Sequence, residues 1–168
     1  MSSSTLLSDE AFLRLPAVAG KQELLDGELI ELPPAKHSHS TLAKRLVRLL
    51  TTVLDDSRVW TEAAYRLESG RWLVPDVSVS WPDQPVADDW FQRSPMIAIE
   101  IVSRGNTAEE LELKTARYLD HGAAEVWIVY PRTGRVAVNS PSGVRHLGKG
   151  ETYSCELLGL DVSSDHWR

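Results

Sequence analysis

The run Met96-Ile-Ala-Ile-Glu-Ile-Val102 limits what this chain can fold into more than any other segment. Six of its seven residues are apolar, the pattern of a central strand covered on both faces. Glu100 is the exception. It shares a strand face with Ala98 and Val102, where a carboxylate is costly to bury unless a cation or a donor compensates it. A helix signal follows. Asn106 or Thr107 can cap it, Leu111, Thr115, Leu119 and Gly122 lie along one side, and Gly122 ends it near His121. Ala124 to Tyr130 is a second apolar strand, so the three segments form a βαβ crossover with a parallel pair at its centre.

The flanking segments extend this unit. Ser8 to Leu15 reads as a short helix stopped by Pro16. Glu23 to Leu32 is two apolar-bearing runs around Asp26-Gly27, the signature of a tight hairpin turn. From Ser38 to about Leu54 the positions Leu42, Leu46, Leu49, Leu50 and Val53 follow helical spacing, with Ser38 or Ser40 able to cap. Arg58 to Leu67 and Trp72 to Trp81 read as two strands joined by Glu68-Ser-Gly-Arg71. Pro82 to Pro95, carrying Asp83, Asp88 and Asp89, reads as a loop, and the tail carries short strands with turns at Pro141-Ser-Gly143 and Gly148-Lys-Gly150. A mixed α/β (α+β) sheet flanked by helices is the expected architecture. With 168 residues and no internal repeat, one domain over 1–168 is expected.

Composition removes several classes. No apolar run approaches the ~20 residues that span a bilayer, so no membrane partner is expected. The start, Met1-Ser-Ser-Ser-Thr5, has no basic region, which argues against a signal peptide. Cys155 is the one cysteine, excluding an internal disulfide framework and a thiolate zinc cluster; a reducing cytoplasm fits best. The net charge of −6 argues mildly against a nucleic-acid partner. Part of that excess can be metal ligands, whose charge a cation offsets. Lys44, Arg45 and Arg48 cluster in the long helix, where the plain reading is a solvated face.

The charged residues that stand out are Asp76, Glu100 and Lys114. Asp76 follows Pro75 and shares a strand face with Ser78 and Ser80. On the helix, Glu110, Lys114 and His121 fall on the rim of the apolar side, with Tyr118 closer to its centre. Each has a plainer reading: a turn residue for Asp76, a structural ion pair for Glu100, and a surface pair worth ~0.2–0.5 kcal/mol for Glu110 and Lys114. Together they suit a different chemistry. Mg²⁺ takes hard oxygen ligands and keeps several waters, so Asp76 and Glu100 suffice to hold it, or Mn²⁺, beside a phosphodiester. Lys114 would orient the attacking water or neutralise charge in the transition state.

Other candidates are weaker. His37 and His39 lack a third zinc ligand, so capping or a surface role is expected. Trp60, Trp72, Trp81, Trp90 and Trp127 read as core and sheet residues rather than a base-stacking platform. Ser103 near Lys114 mimics a nucleophile with a base, but no glycine elbow frames it.

The order of these residues resembles the PD-(D/E)XK, or restriction-endonuclease-like, superfamily, and more narrowly the bacterial Uma-two family of putative endonucleases. The resemblance runs through Ser8-Asp-Glu-Ala-Phe-Leu-Arg-Leu-Pro16, Glu23 to Pro34, Val74-Pro-Asp-Val-Ser-Val79, Ile99-Glu-Ile-Val-Ser103, Lys114-Thr-Ala-Arg-Tyr118 and Gly122 to Pro131. It implies a restriction-endonuclease-like fold and Mg²⁺- or Mn²⁺-dependent cleavage of DNA, with Asp76 and Glu100 as metal ligands and Lys114 as the catalytic lysine. The superfamily's lysine two positions after the glutamate is replaced by Val102, and Lys114 on the next helix takes its place. Glu28, His39, Glu110, Ser103 and Tyr118 are the cleft-lining candidates. Superfamily members often form homodimers, so the resemblance also implies a homodimer. The alternative is an inactive nuclease-fold protein that binds nucleic acid or assembles with a partner.

Overall fold

The computed structural model describes residues 6–87 and 89–167. Met1 to Thr5, on which the signal-peptide expectation rests, and Asp88 lie outside the described residues. Among the described residues no helix is long and apolar enough to cross a membrane.

The chain opens with helix α1 (Asp9–Leu13), capped by the Ser8 side chain. Strands β1 (Lys21–Leu25) and β2 (Glu28–Leu32) then form the expected antiparallel hairpin. Its two-residue turn places Asp26 at φ 54° and Gly27 at φ 86°, the left-handed conformations such a turn requires. Gly20, just before β1, sits so close to the backbone of Leu32 that an added Cβ would lie 1.8 Å from its carbonyl oxygen. Helix α2 (His37–Leu50) begins one residue earlier than expected. Lys36 is its N-cap and makes no side-chain cap, so Ser38 and Ser40 fall inside the first turn.

The two long strands expected from Arg58 to Trp81 are each broken in two. Their pieces are β3 (Val59–Thr61), β4 (Tyr65–Glu68), β5 (Arg71–Leu73) and β6 (Val77–Val79). Glu62, at φ 50°, bends the first segment. Pro75, which has no N–H to donate, interrupts the second. Each bend moves the chain from one sheet to another. The expected loop carries a small antiparallel pair, β7 (Val86–Ala87) and β8 (Trp90–Phe91). After it come β9 (Ile97–Ile101), α3 (Ala108–Asp120) and β10 (Glu125–Tyr130), with β9 and β10 parallel as expected. The tail adds β11 (Arg135–Ser140), β12 (Gly143–Leu147), β13 (Thr152–Cys155) and β14 (Leu160–Ser163).

One mixed sheet has the order β12-β11-β10-β9-β6-β3, a second has β2-β1-β5-β4-β8-β7, and β13 and β14 form a ribbon. Strand β9 is central to the first sheet and buried along its whole length. Its alternation divides the core. Ile97, Ile99 and Ile101 pack with Leu42, Leu46 and Leu50 of α2, while Ala98 belongs to the opposite layer with Leu111 and Tyr118 of α3 and Tyr65 and Leu73 of the second sheet. Glu100 shares the Ala98 face, so it points between the first sheet and α3.

Candidate active site

Strand β6 brings Asp76 to Glu100. Its antiparallel register with β9 pairs Val77 with Ile99 and Ser78 with Ala98, and one further step sets Asp76 beside Glu100. The Ile101 N–H donates to Asp76 Oδ2 at 2.7 Å, which fixes the carboxylate at the end of β9. The crossover returns α3 over the same face, and Lys114 Nζ meets Glu100 Oε1 at 2.7 Å. Asp76, Glu100 and Lys114 therefore form one cluster, and each is 5 % exposed or less.

Lys114 is not on a rim. With Leu111 and Tyr118 it forms the buried face of α3, and it also donates to Glu23 Oε1 at 2.9 Å. Burial opposes its charge, but Glu100 and Glu23 outweigh that and hold its pKa above the ordinary lysine value. The Tyr118 hydroxyl donates to Glu100 Oε1 at 3.1 Å. Burial, with the Glu100 charge adding to it, pushes that phenol well up, so it remains a donor. Glu100 itself is shifted up, by burial first and by the charge of Asp76, against the pull of Lys114.

The hairpin supplies two residues the sequence did not single out. Glu23 is fully buried, and its Oε1 accepts from the Val74 N–H as well as from Lys114. Its Oε2 is buried without a hydrogen-bond partner. Lys21 Nζ donates to Asp76 Oδ1 at 2.7 Å and to the Val74 carbonyl at 2.8 Å. Burial works against the Lys21 charge, yet Glu100 and Asp76 raise its pKa overall. The hairpin is held in register with α3 by Asp26, which accepts from Arg117 and Arg71.

His39, in the first turn of α2, places Nε2 3.2 Å from Asp76 Oδ2. That hydrogen bond, against partial burial, raises the His39 pKa. Burial alone would raise the Asp76 carboxyl; the His39 bond and the charges of Lys21 and His39 instead hold it well below the ordinary carboxylate range.

Of the other candidates, Ser103 lines the cleft over Asp76 and Glu100, where its hydroxyl donates to Asn106. Glu110 turns away. Its carboxylate accepts from the Thr107 N–H while Thr107 Oγ1 accepts from the Glu110 N–H, a capping box at the start of α3. Glu28 is exposed at the hairpin end, paired in register with Leu25, and does not line the cleft. His37 is exposed while His39 faces Asp76, so the two form no zinc pair. Trp72 and Trp127 are buried as expected, whereas Trp60 is 40 % exposed.

The cleft has a volume of about 880 Å³ and lies beyond the carboxyl ends of the parallel strands β9 and β10, between the loops that follow them. Lys21, Lys36, Arg45, Arg104 and Arg132 line it against Glu62, Asp76 and Glu100. The chain as a whole has 18 Lys and Arg against 24 Asp and Glu, so the cleft is a basic region on an acidic protein.

Among the described residues no three His, Cys, Asp or Glu side chains converge so as to hold an ion by themselves. The donor set nevertheless fits Mg²⁺ or Mn²⁺, which need one or two carboxylates and complete their shell with water. Asp76 and Glu100 are hard oxygen ligands that line the cleft, and Glu23 Oε2 is buried without a hydrogen-bond partner. His39, a potential nitrogen ligand beside the pair, is engaged with Asp76.

The model of the Uma2 family, described as putative restriction endonuclease, matches residues 9–163. The crystal structure of a putative nuclease belonging to DUF820 from Anabaena variabilis superposes with a TM-score of 0.86 at 21 % sequence identity. The match covers 96 % of this chain and 97 % of that one, a likeness of fold. No curated protein matches the chain.

Proposed function

The chain belongs to the Uma2 family of putative restriction endonucleases, and from that premise we propose that it is a metal-dependent endonuclease hydrolysing phosphodiester bonds in DNA. The observation that carries this reading is the pair of nearly buried carboxylates, Asp76 and Glu100, opening onto a basic cleft. Buried acids are costly, and these two meet where the chain enters β6 beside the end of β9. Asp76 and Glu100 would hold Mg²⁺ or Mn²⁺, which when bound polarises the phosphate and lowers the pKa of a bound water.

The protein's own groups divide the remaining work. Lys114 and Tyr118 both meet Glu100 Oε1 and orient that carboxylate, leaving Oε2 as the oxygen these two do not engage. Lys114 does not line the cleft, so it acts through Glu100, as a positioning residue that neutralises charge. His39 and the Ile101 N–H orient Asp76 in the same way. Lys36, Arg104 and Arg132 at the mouth are suited to the phosphates on either side of the scissile bond.

One observation favours a second reading, a nuclease-fold module that binds nucleic acid without turnover. Lys21 already neutralises Asp76 in place of a metal. The two readings separate on plasmid and single-stranded DNA incubated with Mg²⁺ or with EDTA. The endonuclease reading predicts cleavage with the metal, its loss with EDTA, and its loss in Asp76→Ala and Glu100→Ala. Cleavage that survives both substitutions refutes the assignment, and binding without cleavage selects the second reading.

A further inference from the structure

Lys21 is a partly buried cation that the proposed reaction does not use. Its side chain is 15 % exposed, and its ammonium is 2.7 Å from Asp76 Oδ1, the oxygen that neither the Ile101 N–H nor His39 takes. The other carboxylate oxygen, Oδ2, is already shared by those two donors. An incoming divalent ion therefore has Oδ1 as its natural ligand on Asp76, and Lys21 is there first.

Charge makes the competition strong. The cluster holds three carboxylates, Glu23, Asp76 and Glu100, against two ammonium groups, Lys21 and Lys114. Lys114 is locked between Glu23 and Glu100 on α3 and has no route out. Lys21 has one. It is the first residue of β1, it lines the cleft, and its second hydrogen bond is to the Val74 carbonyl. A flexible four-carbon stem lets the ammonium leave Asp76 while keeping a polar partner.

We propose that Lys21 is a built-in competitor for the metal: it occupies the cation position on Asp76 in the metal-free protein, and a divalent cation binds only by displacing it. Lys21 thereby sets the affinity of the site, keeping Asp76 compensated when no ion is bound and making occupancy depend on the free metal concentration. This inference rests on the reading of Asp76 as a metal ligand.

The test is isothermal titration calorimetry with MnCl₂ on wild type, Lys21→Met, Lys21→Arg and Asp76→Asn. Lys21→Met, folded by circular dichroism, is expected to bind Mn²⁺ at least about tenfold more tightly than wild type, a modest demand for one unit charge removed from a few Å away. Lys21→Arg, which keeps the charge, should bind no more tightly than wild type. If Lys21→Met does not fold, Lys21→Gln carries the same comparison, because its amide can still donate to the Val74 carbonyl. Equal or weaker binding by the folded neutral variant overturns the inference. When wild type binds Mn²⁺, Asp76→Asn abolishes it and the neutral variant gains nothing, the Lys21 role alone fails. Absence of binding in both wild type and the neutral variant overturns the metal site and this inference together.

Discussion

Replacing Lys114 with methionine removes the one cation shared by two buried carboxylates. Lys114 lies 2.9 Å from Glu23 Oε1 and 2.7 Å from Glu100 Oε1, and the three side chains are 3 %, 1 % and 4 % exposed. Methionine fills similar space, so the loss is electrostatic rather than a cavity. Breaking a buried pair by removing one partner costs about 3–5 kcal/mol, and here two partners are stranded, which puts the expectation at the upper end. In urea, with a slope of about 2 kcal/mol per M for a domain of this size, that is a midpoint lowered by roughly 2 M. The six tryptophans give the signal. The pH dependence identifies the cause. Without Lys114, the folded-state pKa of Glu100, already raised by burial, rises further, so the variant's native state binds more protons and regains stability as pH falls. The deficit should shrink between pH 8 and pH 5, and adding Glu100→Gln to Lys114→Met should recover part of it. A midpoint shift below about 0.5 M at pH 8 with an unchanged slope, or a deficit independent of pH, would refute the buried-pair account.

Three further outcomes follow from the same geometry. NMR titration of His39 should give a pKa above the ordinary value of about 6.5, returning toward it in Asp76→Asn. Because the folded-state pKa is the raised one, the stability His39 contributes is complete below the unfolded value and is lost as pH rises through the folded one. An unshifted wild-type His39 would remove the Asp76 contact. Gly20→Ala should lower stability by about 1–3 kcal/mol or more in the same urea assay, because the new Cβ meets the Leu32 backbone at 1.8 Å. A neutral effect would mean that β1 can shift freely. Tyr118→Phe, which deletes the 3.1 Å hydrogen bond to a buried carboxylate, should cost about 1.5–3 kcal/mol in the same measurement, and a change under ~0.5 kcal/mol would show that Glu100 does not depend on it.

Local pattern was enough for the parts whose pairing is local. The apolar run at 96–102, the capped helix and the second run at 124–130 could pack in one way, and Asp26-Gly27 made the hairpin plain. Asp76 and Glu100 stood out because each breaks its context, one after a proline and one inside an apolar strand. The two members of the cluster on β1 lie far from their partners in sequence, Lys21 55 residues from Asp76 and Glu23 91 from Lys114. No periodicity reports such a distance. A signal did exist on β1, where Lys21, Glu23 and Leu25 alternate on one face, and an inward Leu25 implied two inward charges. Glu28 is a candidate through the resemblance alone; it lies on the same hairpin face as Glu23, opposite Leu25, but at the exposed end of the hairpin, whereas Glu23 is buried. Helical periodicity puts Lys114 on a rim, because a lysine in the middle of a buried helix face makes sense only once its two carboxylates are known.

The central claim is that Asp76 and Glu100 together hold a divalent cation at the floor of the cleft. Crystals soaked in MnCl₂ and measured at the manganese absorption edge test it most directly. The account predicts one anomalous peak within about 2.0–2.3 Å of an oxygen of each carboxylate, with the Lys21 ammonium moved off Asp76. A crystal saturated with Mn²⁺ that shows no peak there, or a peak bound by other residues with Lys21 still on Asp76, would contradict it.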